Sequence, residues 1–323
     1  MGMKYVVAAT SAVCVALAAP VTAQVRFERP VQVLVPYPPG GSVDISVRMV
    51  AEKITAAGGP AMVIQNRAGA GGIVAAQALK AAPADGHTVL IGDHGLFGIL
   101  PVLQSDMPVD VRRDFAPVAL LRSHNQICAT PKKLAADTVA QFLDLARKTQ
   151  GGLSYASQSP GSSGHILGAM LAKATGAPLV HVPYRGEAPA VTDLVSGQVA
   201  MLCTSYDGLM AQIEGDTLKV LAVARKTRDP LLPKVPTFEE AGVGLDEFVS
   251  WNGVFVTAGT PAPVVDALAK LFTDAVNAPD VAGRLRARGI DIANDTPAGF
   301  ARFIDDYRPK VERIIRTTGV KLE

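Results

Sequence analysis

Short runs of β-branched residues alternate with segments of helical periodicity along most of this chain. The run VQVLV at 31–35 predicts a strand, and apolar residues then recur at helical spacing from Val43 to Ile54. Further strands are predicted at 62–64 and 88–91, with a helix at 75–79 between them. This β-α-β-α-β order is typical of parallel sheets with helices on both faces, so the sequence predicts an α/β fold.

The same alternation continues to the end of the chain. Strands are predicted at 118–121, 126–129, 153–156, 179–182, 199–203, 218–222 and 251–256, and helices near 138–149, 163–175, 187–196, 206–213, 261–277, 280–288 and 297–317. With 323 residues the chain is long enough for two domains of roughly 100–200 residues each. We therefore predict two Rossmann-like lobes, each with its own sheet, joined by hinge strands near 118–128 and 249–256. Lobe one then comprises 25–124 plus 249–323, and lobe two comprises 125–248.

The first 23 residues have the pattern of an export signal. Lys4 supplies a positive charge, residues 5–19 are apolar and uncharged, and the small residues of 20–23 offer a cleavage point after about Ala23. The apolar run is shorter than the roughly 20 residues that a membrane-spanning helix needs. We therefore predict that residues 1–23 are a cleaved signal peptide and that the mature protein is periplasmic.

Charge and cysteine content narrow the function further. A net charge of +2 and an aromatic content of 5% predict that the protein binds no nucleic acid, because nucleic-acid-binding proteins carry basic stripes with interleaved aromatic residues. Two cysteines, Cys128 and Cys203, lie in apolar strand-like runs of the mature chain. An oxidising compartment permits a disulfide between them. No spacing argument brings them together, so we favour two separate buried thiols.

The stretch VPYPPGGSVD at 35–44 runs from a strand through two glycines into a helix. The unpaired N–H groups of a helix's first turn and the positive end of its dipole form an anion site. Tyr37, Pro39, Gly40 and Gly41 are candidate ligand contacts, and Asp44 is expected to accept backbone N–H bonds that fix the loop. The alternative is an ordinary turn in which Ser42 caps the helix.

A second stretch, YASQSPGSSGH at 155–165, has the same strand–loop–helix order and offers several hydroxyls and amides. Ligands in open α/β sheets bind at the carboxyl ends of strands, so the two loops are expected to face each other from different lobes. Together they suit a small carboxylate. The candidate ligand contacts in this loop are Ser157, Ser159, Gly161, Ser162, Ser163 and His165.

Catalytic and cofactor motifs are absent from the sequence. The run GSSG at 161–164 is one residue short of a nucleophile elbow, and no phosphate-binding P-loop or complete dinucleotide fingerprint occurs. The five histidines form no H-x-x-x-H or H-x-H pair and there is no C-x-x-C. We predict no cofactor, no metal and no enzymatic activity. An enzyme of the same fold that uses Ser163 or Ser159 with His165 is the less favoured alternative.

Seven segments in order resemble a known family, the substrate-binding receptors of tripartite tricarboxylate transporters. They are VPYPPGGxxD at 35–44, QNRAGAGG at 65–72, APADGHT at 82–88, DFAPV at 114–118, GSSGH at 161–165, HVPYRG at 181–186 and VPT at 235–237. The resemblance covers essentially all of the mature chain.

This resemblance implies a type II periplasmic-binding-protein architecture whose two lobes close on a small organic acid. It implies that the two loops grip the carboxylate and that Tyr184, Arg185 and the loop after 199–203, with Thr204 and Ser205, complete the pocket. Many relatives carry Asp where this chain has Thr204, and the missing carboxylate argues against an amino-acid ligand. The loop with Asp93 and His94 also differs, and Asp93 is expected to repel a second carboxylate unless His94 or Arg185 offsets it.

The resulting prediction is a monomeric receptor for a mono- or dicarboxylate, aromatic acids included. It would deliver this ligand to the permease subunits of a tripartite tricarboxylate-type transporter. The alternative is the ligand-binding component of a periplasmic sensing system that partners a histidine-kinase ectodomain.

Overall fold

The first strand, β1 (Val31–Val35), and the helix α1 (Ser42–Ala56) begin a six-stranded sheet in the computed structural model. The structure describes residues 25–245, 248–293 and 295–321, so the predicted signal peptide lies outside the described residues. The other strands of this sheet are β2 (Met62–Asn66), β3 (Thr88–Asp93), β4 (Phe115–His124), β10 (Ser250–Thr257) and β11 (Ile290–Ile292). Their spatial order is β11-β4-β10-β3-β1-β2.

A second sheet of five strands lies between β4 and β10 in the sequence. Its strands are β5 (Gln126–Pro131), β6 (Leu153–Ser157), β7 (Leu179–Pro183), β8 (Met201–Ser205) and β9 (Leu218–Ala224). They are arranged in the order β7-β6-β8-β5-β9. The chain therefore passes from the first sheet to the second at Asn125 and returns before Ser250, which gives the two-lobe α/β architecture that the sequence predicts.

Helices cover both sheets. Those of the first lobe are α1, α2 (Ile73–Lys80), α3 (Leu100–Leu103), α8 (Ala262–Asn277), α9 (Pro279–Arg286) and α10 (Pro297–Thr318). Those of the second lobe are α4 (Val139–Lys148), α5 (Ser163–Thr175), α6 (Glu187–Ser196) and α7 (Tyr206–Glu214). Helix α10 packs on β4 and also contacts α5, so the apolar core is continuous between the lobes. None of the helices in the described ranges is long and apolar enough to cross a bilayer.

The predicted strands and helices are confirmed, and the differences lie where burial hides the local signal. The sheets are mixed, because β10 runs antiparallel to β3 and β4, and β5 runs antiparallel to β8 and β9. A π-helical turn (Gly95–Ile99) and α3 were not predicted, since the π-helical turn is buried on all sides and this apolar segment shows no amphipathic period. Strand β11 was missed because it is only three residues long.

The interpretation of Cys128 and Cys203 as separate thiols is wrong. The antiparallel register of β5 and β8 places the two residues directly opposite each other, and they form a disulfide. They are 75 residues apart in sequence, and only the pairing of the two strands brings them together. The disulfide ties the hinge-proximal strand β5 to the strand that ends at Thr204 and Ser205.

Candidate functional site

A cavity of about 70 Å³ lies between the two lobes, at the ends of the strands named above. The first lobe lines it with the β1–α1 loop, the end of β3, the end of β4 and Asn252 of β10. The second lobe contributes Gln126, the β6–α5 loop, the start of α6 and the end of β8. The full set of lining residues is Tyr37, Pro38, Pro39, Gly41, Ser42, Val43, Asp93, His94, Arg122, His124, Gln126, Gln158, Ser162, Ser163, Glu187, Ala188, Thr204, Ser205 and Asn252.

The β1–α1 loop is held in place by Asp44. Its carboxylate accepts hydrogen bonds from the Gly40 amide (3.0 Å), the Arg48 Nε (3.0 Å) and the Asn66 Nδ2 (2.9 Å). Burial opposes ionisation, yet these donors keep the pKa of Asp44 below its usual value. Asp44 therefore fixes the loop and leaves Gly41 and the first turn of α1 facing the cavity.

The β6–α5 loop is fixed by bonds among its own polar groups. The Ser157 hydroxyl donates to the carbonyl of Ser159 (3.0 Å), and His165 Nδ1 accepts from the Gly161 amide (3.1 Å). Burial lowers the pKa of His165 to about 4, so its ring is neutral at pH 7. Ser162 and Ser163 line the cavity at the start of α5.

The first-turn amides of α5 are available to a ligand. Ser162 precedes the helix and makes no side-chain cap bond. Within the described residues, the amides of Ser163, Gly164 and His165 have no acceptor. Because these three donors stand at the positive end of the helix dipole, they form a site for an anionic oxygen.

Arg122 is a buried cation at the end of hinge strand β4. Its guanidinium donates to Asn252 Oδ1 (2.8 Å), Ser46 Oγ (2.9 Å) and Ser42 Oγ (3.0 Å). Its Nη1 lies 3.6 Å from Oδ2 of Asp207, which belongs to the other lobe. Burial lowers the pKa of Arg122, and the charges of Asp207 and Glu187 oppose this shift. A guanidinium stays protonated in proteins, so Arg122 and Asp207 form a charged pair.

Glu187 reaches from the second lobe to the first turn of α1. Its Oε2 accepts from the Ser42 amide (3.1 Å) and its Oε1 accepts from the Thr204 hydroxyl (2.5 Å). Burial, followed by the charge of Asp207, raises the pKa of Glu187 above its ordinary value. A carboxylate of the protein therefore already occupies part of the predicted α1 anion site.

The remaining ionisable groups of the cavity lie at the ends of β3 and β4. Asp93 accepts from the Tyr37 hydroxyl and, at 2.8 Å, from the Leu96 amide. Burial and then the charge of Asp93 raise the pKa of Tyr37. Burial lowers the pKa of both His94 and His124, and the charge of Arg122 lowers that of His124 further. Both rings are therefore neutral at pH 7.

The cavity brings together part of the predicted ligand set. Nine of those residues line it: Tyr37, Pro39, Gly41, Asp93, His94, Ser162, Ser163, Thr204 and Ser205. Gly40, Asp44, Ser157, Gly161 and His165 lie in the loops that support these residues, as described above. Ser159, Tyr184 and Arg185 line a second cavity of about 390 Å³ that shares Tyr37, Pro38 and Gln158 with the first.

Sequence reasoning missed several lining residues, above all Arg122, His124, Gln126, Gln158, Glu187 and Asn252. Arg122, Gln126 and Asn252 are polar residues inside the strand-like passages that were predicted to cross between the lobes. Polar side chains in buried strands are unusual, and that was the available signal. Glu187 follows the PYRG turn. Its sequence context indicates only an acidic residue in the first turn of a helix and gives no indication of a role in the cavity.

The chemistry needed for catalysis is not assembled at the predicted serines. The Ser163 hydroxyl donates to Gln126 Oε1 (3.1 Å), and His165 accepts from an amide rather than from a serine. Ser157 Oγ lies 2.6 Å from His181 Nε2, but neither residue lines the cavity. No group of three or more His, Cys, Asp or Glu residues in the described ranges is placed to hold a metal ion.

Comparison with known proteins places these features in a family. The family model described as the tripartite tricarboxylate transporter family receptor matches residues 46–320. A UPF0065 protein from Pseudomonas sp., encoded in the tcbD–tcbE intergenic region, is 38% identical over 286 residues, which cover 88% of this chain and 84% of that protein.

Solved structures agree with this likeness. An R. palustris protein with adipate superimposes with a TM-score of 0.87 at 29% identity and covers 91% of this chain and 98% of that one. The protein MatC from Rhodopseudomonas palustris, with bound malate, has a TM-score of 0.83 at 28% identity, with coverages of 89% and 99%.

Proposed function

The chain belongs to the tripartite tricarboxylate transporter receptor family, and from this premise we propose that it is a periplasmic receptor that captures a small organic carboxylate between its lobes. It then delivers the ligand to a tripartite tricarboxylate-type permease. The members of this family are solute-binding receptors, which confirms the expectation that the chain is not an enzyme.

One observation carries the proposal. The cavity is bounded by both lobes, and Ser162 and Ser163 line it at the start of α5, the helix end that carries the three free amides. A carboxylate bound there contacts both lobes and holds them together, because it stabilises the closed arrangement relative to an open one. The adipate and malate in two structural neighbours support a carboxylate ligand.

The hinge is linked to the same end of α5. Gln126 accepts from the Ser163 hydroxyl and donates from its Nε2 to Ser250 Oγ (2.9 Å). Gln126 begins β5 and Ser250 begins β10, the two strands that follow the crossings between lobes. The side chain of Gln126 therefore connects Ser163, a residue at the ligand cavity, to both hinge passages.

Thermal unfolding with a panel of mono- and dicarboxylates tests capture. A ligand that binds only the folded state stabilises it by RT ln(1 + [L]/Kd), about 2.7 kcal/mol at one hundred times Kd. The proposal expects a concentration-dependent rise in Tm with at least one acid. Folded protein whose Tm responds to none of them contradicts it.

Delivery is tested by uptake. Cells that lack this gene should lose uptake of the labelled acid that binds, and restoring the gene should restore it. Normal uptake in the deletion strain, combined with a lost transcriptional response to the acid, would contradict delivery to a permease.

A further inference from the structure

The surrounding residues leave space for the carboxylate of Glu187 at the cavity wall and bind it there. Gly186 precedes α6 and has a φ of +124°. A Cβ there would lie 3.0 Å from Pro38 Cδ, so the glycine allows the two lobes to approach at this point. Gly208 leaves room for the carboxylate, since a Cβ there would lie 2.2 Å from Glu187 Oε1. The Ser42 amide and the Thr204 hydroxyl donate hydrogen bonds to this carboxylate.

The cations near the cavity do not balance this charge. Arg122 is paired with Asp207 and uses its other N–H groups on Ser42, Ser46 and Asn252. Within the described ranges, Glu187 and Asp93 form no ion pair with Lys or Arg. His94 and His124 are neutral at pH 7, as argued above. The cavity lining therefore carries two acidic side chains, Asp93 and Glu187, and one guanidinium, Arg122, which is already paired with Asp207.

The start of α5 offers the ligand an anion site that no protein carboxylate occupies in the described part of the chain. There the amides of Ser163, Gly164 and His165 are free, whereas at α1 the Ser42 amide already bonds Glu187. The rest of a ligand bound there lies in a cavity that Glu187 and Asp93 also line. A second carboxylate there would meet two like charges in a partly desolvated site, where such repulsion is strong.

Hydrogen-bond acceptors also lie around Thr204 and Gln158 in the cavity wall. The single hydroxyl proton of Thr204 goes to Glu187, so its oxygen must accept from the Gln158 amide nitrogen (2.6 Å). This leaves Gln158 Oε1 as a buried acceptor with no partner in the described part of the chain. A hydroxyl or amine N–H on the ligand would satisfy such an acceptor, whereas a carboxylate would not.

We propose that Glu187 is a specificity-determining residue that makes this receptor select monocarboxylates with a hydrogen-bond donor at the far end over dicarboxylates. The inference rests on the proposed function and narrows its ligand class. It assigns to Glu187 a role that the neighbouring Thr204 supports by fixing the carboxylate in place.

Calorimetric titration with matched pairs of acids tests the proposal. The pairs are 4-hydroxybutanoate with succinate and 6-hydroxyhexanoate with adipate, each measured at pH 7.5 on the full mature protein. The wild type should bind the hydroxy acid of a pair at least about tenfold more tightly than the diacid. Glu187→Gln should reduce that ratio about tenfold or more, chiefly by tightening the diacid.

Two variants separate charge from packing. Glu187→Asp keeps the charge and should keep the preference for the hydroxy acid. Glu239→Gln removes one negative charge from an exposed position of the same lobe, outside the cavity, and should leave the ratio unchanged.

The outcomes distinguish the two proposals. Wild-type protein that binds diacids as tightly as hydroxy acids overturns the selectivity, as does an unchanged ratio in folded Glu187→Gln, while carboxylate capture stands. Folded wild type that binds none of the four acids, nor any other acid of the thermal panel, overturns capture and the selectivity with it. The wild-type ratio alone decides the matter if Glu187→Gln fails to fold.

Discussion

The Arg122 guanidinium and the Asp207 carboxylate face each other across the lobe interface, with Nη1 3.6 Å from Oδ2 and both side chains buried. Arg122 lies near the end of β4, the first crossing strand, and Asp207 lies in the first turn of α7. This pair therefore links the hinge to the second lobe through charge.

Removing either partner should be costly. Arg122→Met leaves Asp207 buried without its counter-charge, and we expect the free energy of unfolding in urea to fall by about 3–5 kcal/mol. The double variant Arg122→Met/Asp207→Leu should lose less than the sum of the two single variants, since no lone charge remains. Strictly additive losses would show that the pair does not act as a unit.

The disulfide should contribute substantially to stability. Cys128 and Cys203 close a long loop, being 75 residues apart. Loop-closure entropy predicts that Cys128→Ser/Cys203→Ser lowers the free energy of unfolding by about 4 kcal/mol. Reductant should lower the Tm of the wild type and leave that of the double variant unchanged. Equal sensitivity of both proteins to reductant would contradict the assignment.

The preference against diacids should weaken as pH falls. Burial and Asp207 raise the pKa of Glu187, so this carboxylate takes up a proton at a higher pH than a free one. Once neutral, it no longer repels a second carboxylate. Titrations of the succinate pair from pH 8 downward should show the affinity ratio narrowing in the wild type. The ligands take up protons at the same pH in titrations of Glu187→Gln, so this variant should show a smaller change in the affinity ratio. Parallel pH profiles in the two proteins would contradict this role of Glu187.

His165 should make stability depend on pH. Its pKa is about 4 in the folded protein against the ordinary 6.5, so the unfolded state binds the proton first. The stability that the neutral ring provides is complete above pH 6.5 and is lost as pH falls toward 4, by about 1.4 kcal/mol per pH unit. His165→Asn keeps an acceptor for the Gly161 amide, and its unfolding free energy should fall less steeply over this range. An unchanged slope in the variant would show that His165 is not the titrating group.

The fold was more predictable from sequence than the site. β-Branched runs such as 31–35 and glycine loops such as 40–41 mark strand ends locally, so the α/β alternation can be read along the chain. Arg122 and Asp207 are 85 residues apart, and Ser42 and Glu187 meet only when the lobes approach. No local pattern encodes such pairs, and for the same reason the disulfide was missed.

Thr204 illustrates a second limit. Position 204 taken alone predicts a pocket that lacks a carboxylate at this point. In the folded chain the Thr204 hydroxyl holds the carboxylate of Glu187, so an acidic group stands beside it after all. Which charge lines a cavity depends on the side chains that tertiary packing delivers there, and not on one position of a motif.

The central claim is that a carboxylate bound between the lobes rests on the first turn of α5. A crystal structure of the protein with the acid that raises its Tm most tests this directly. The account predicts carboxylate oxygens within hydrogen-bond distance of the Ser163, Gly164 or His165 amides, with the rest of the ligand pointing toward Glu187. A ligand that lies in the second cavity beside Arg185, or that touches one lobe only, would contradict it.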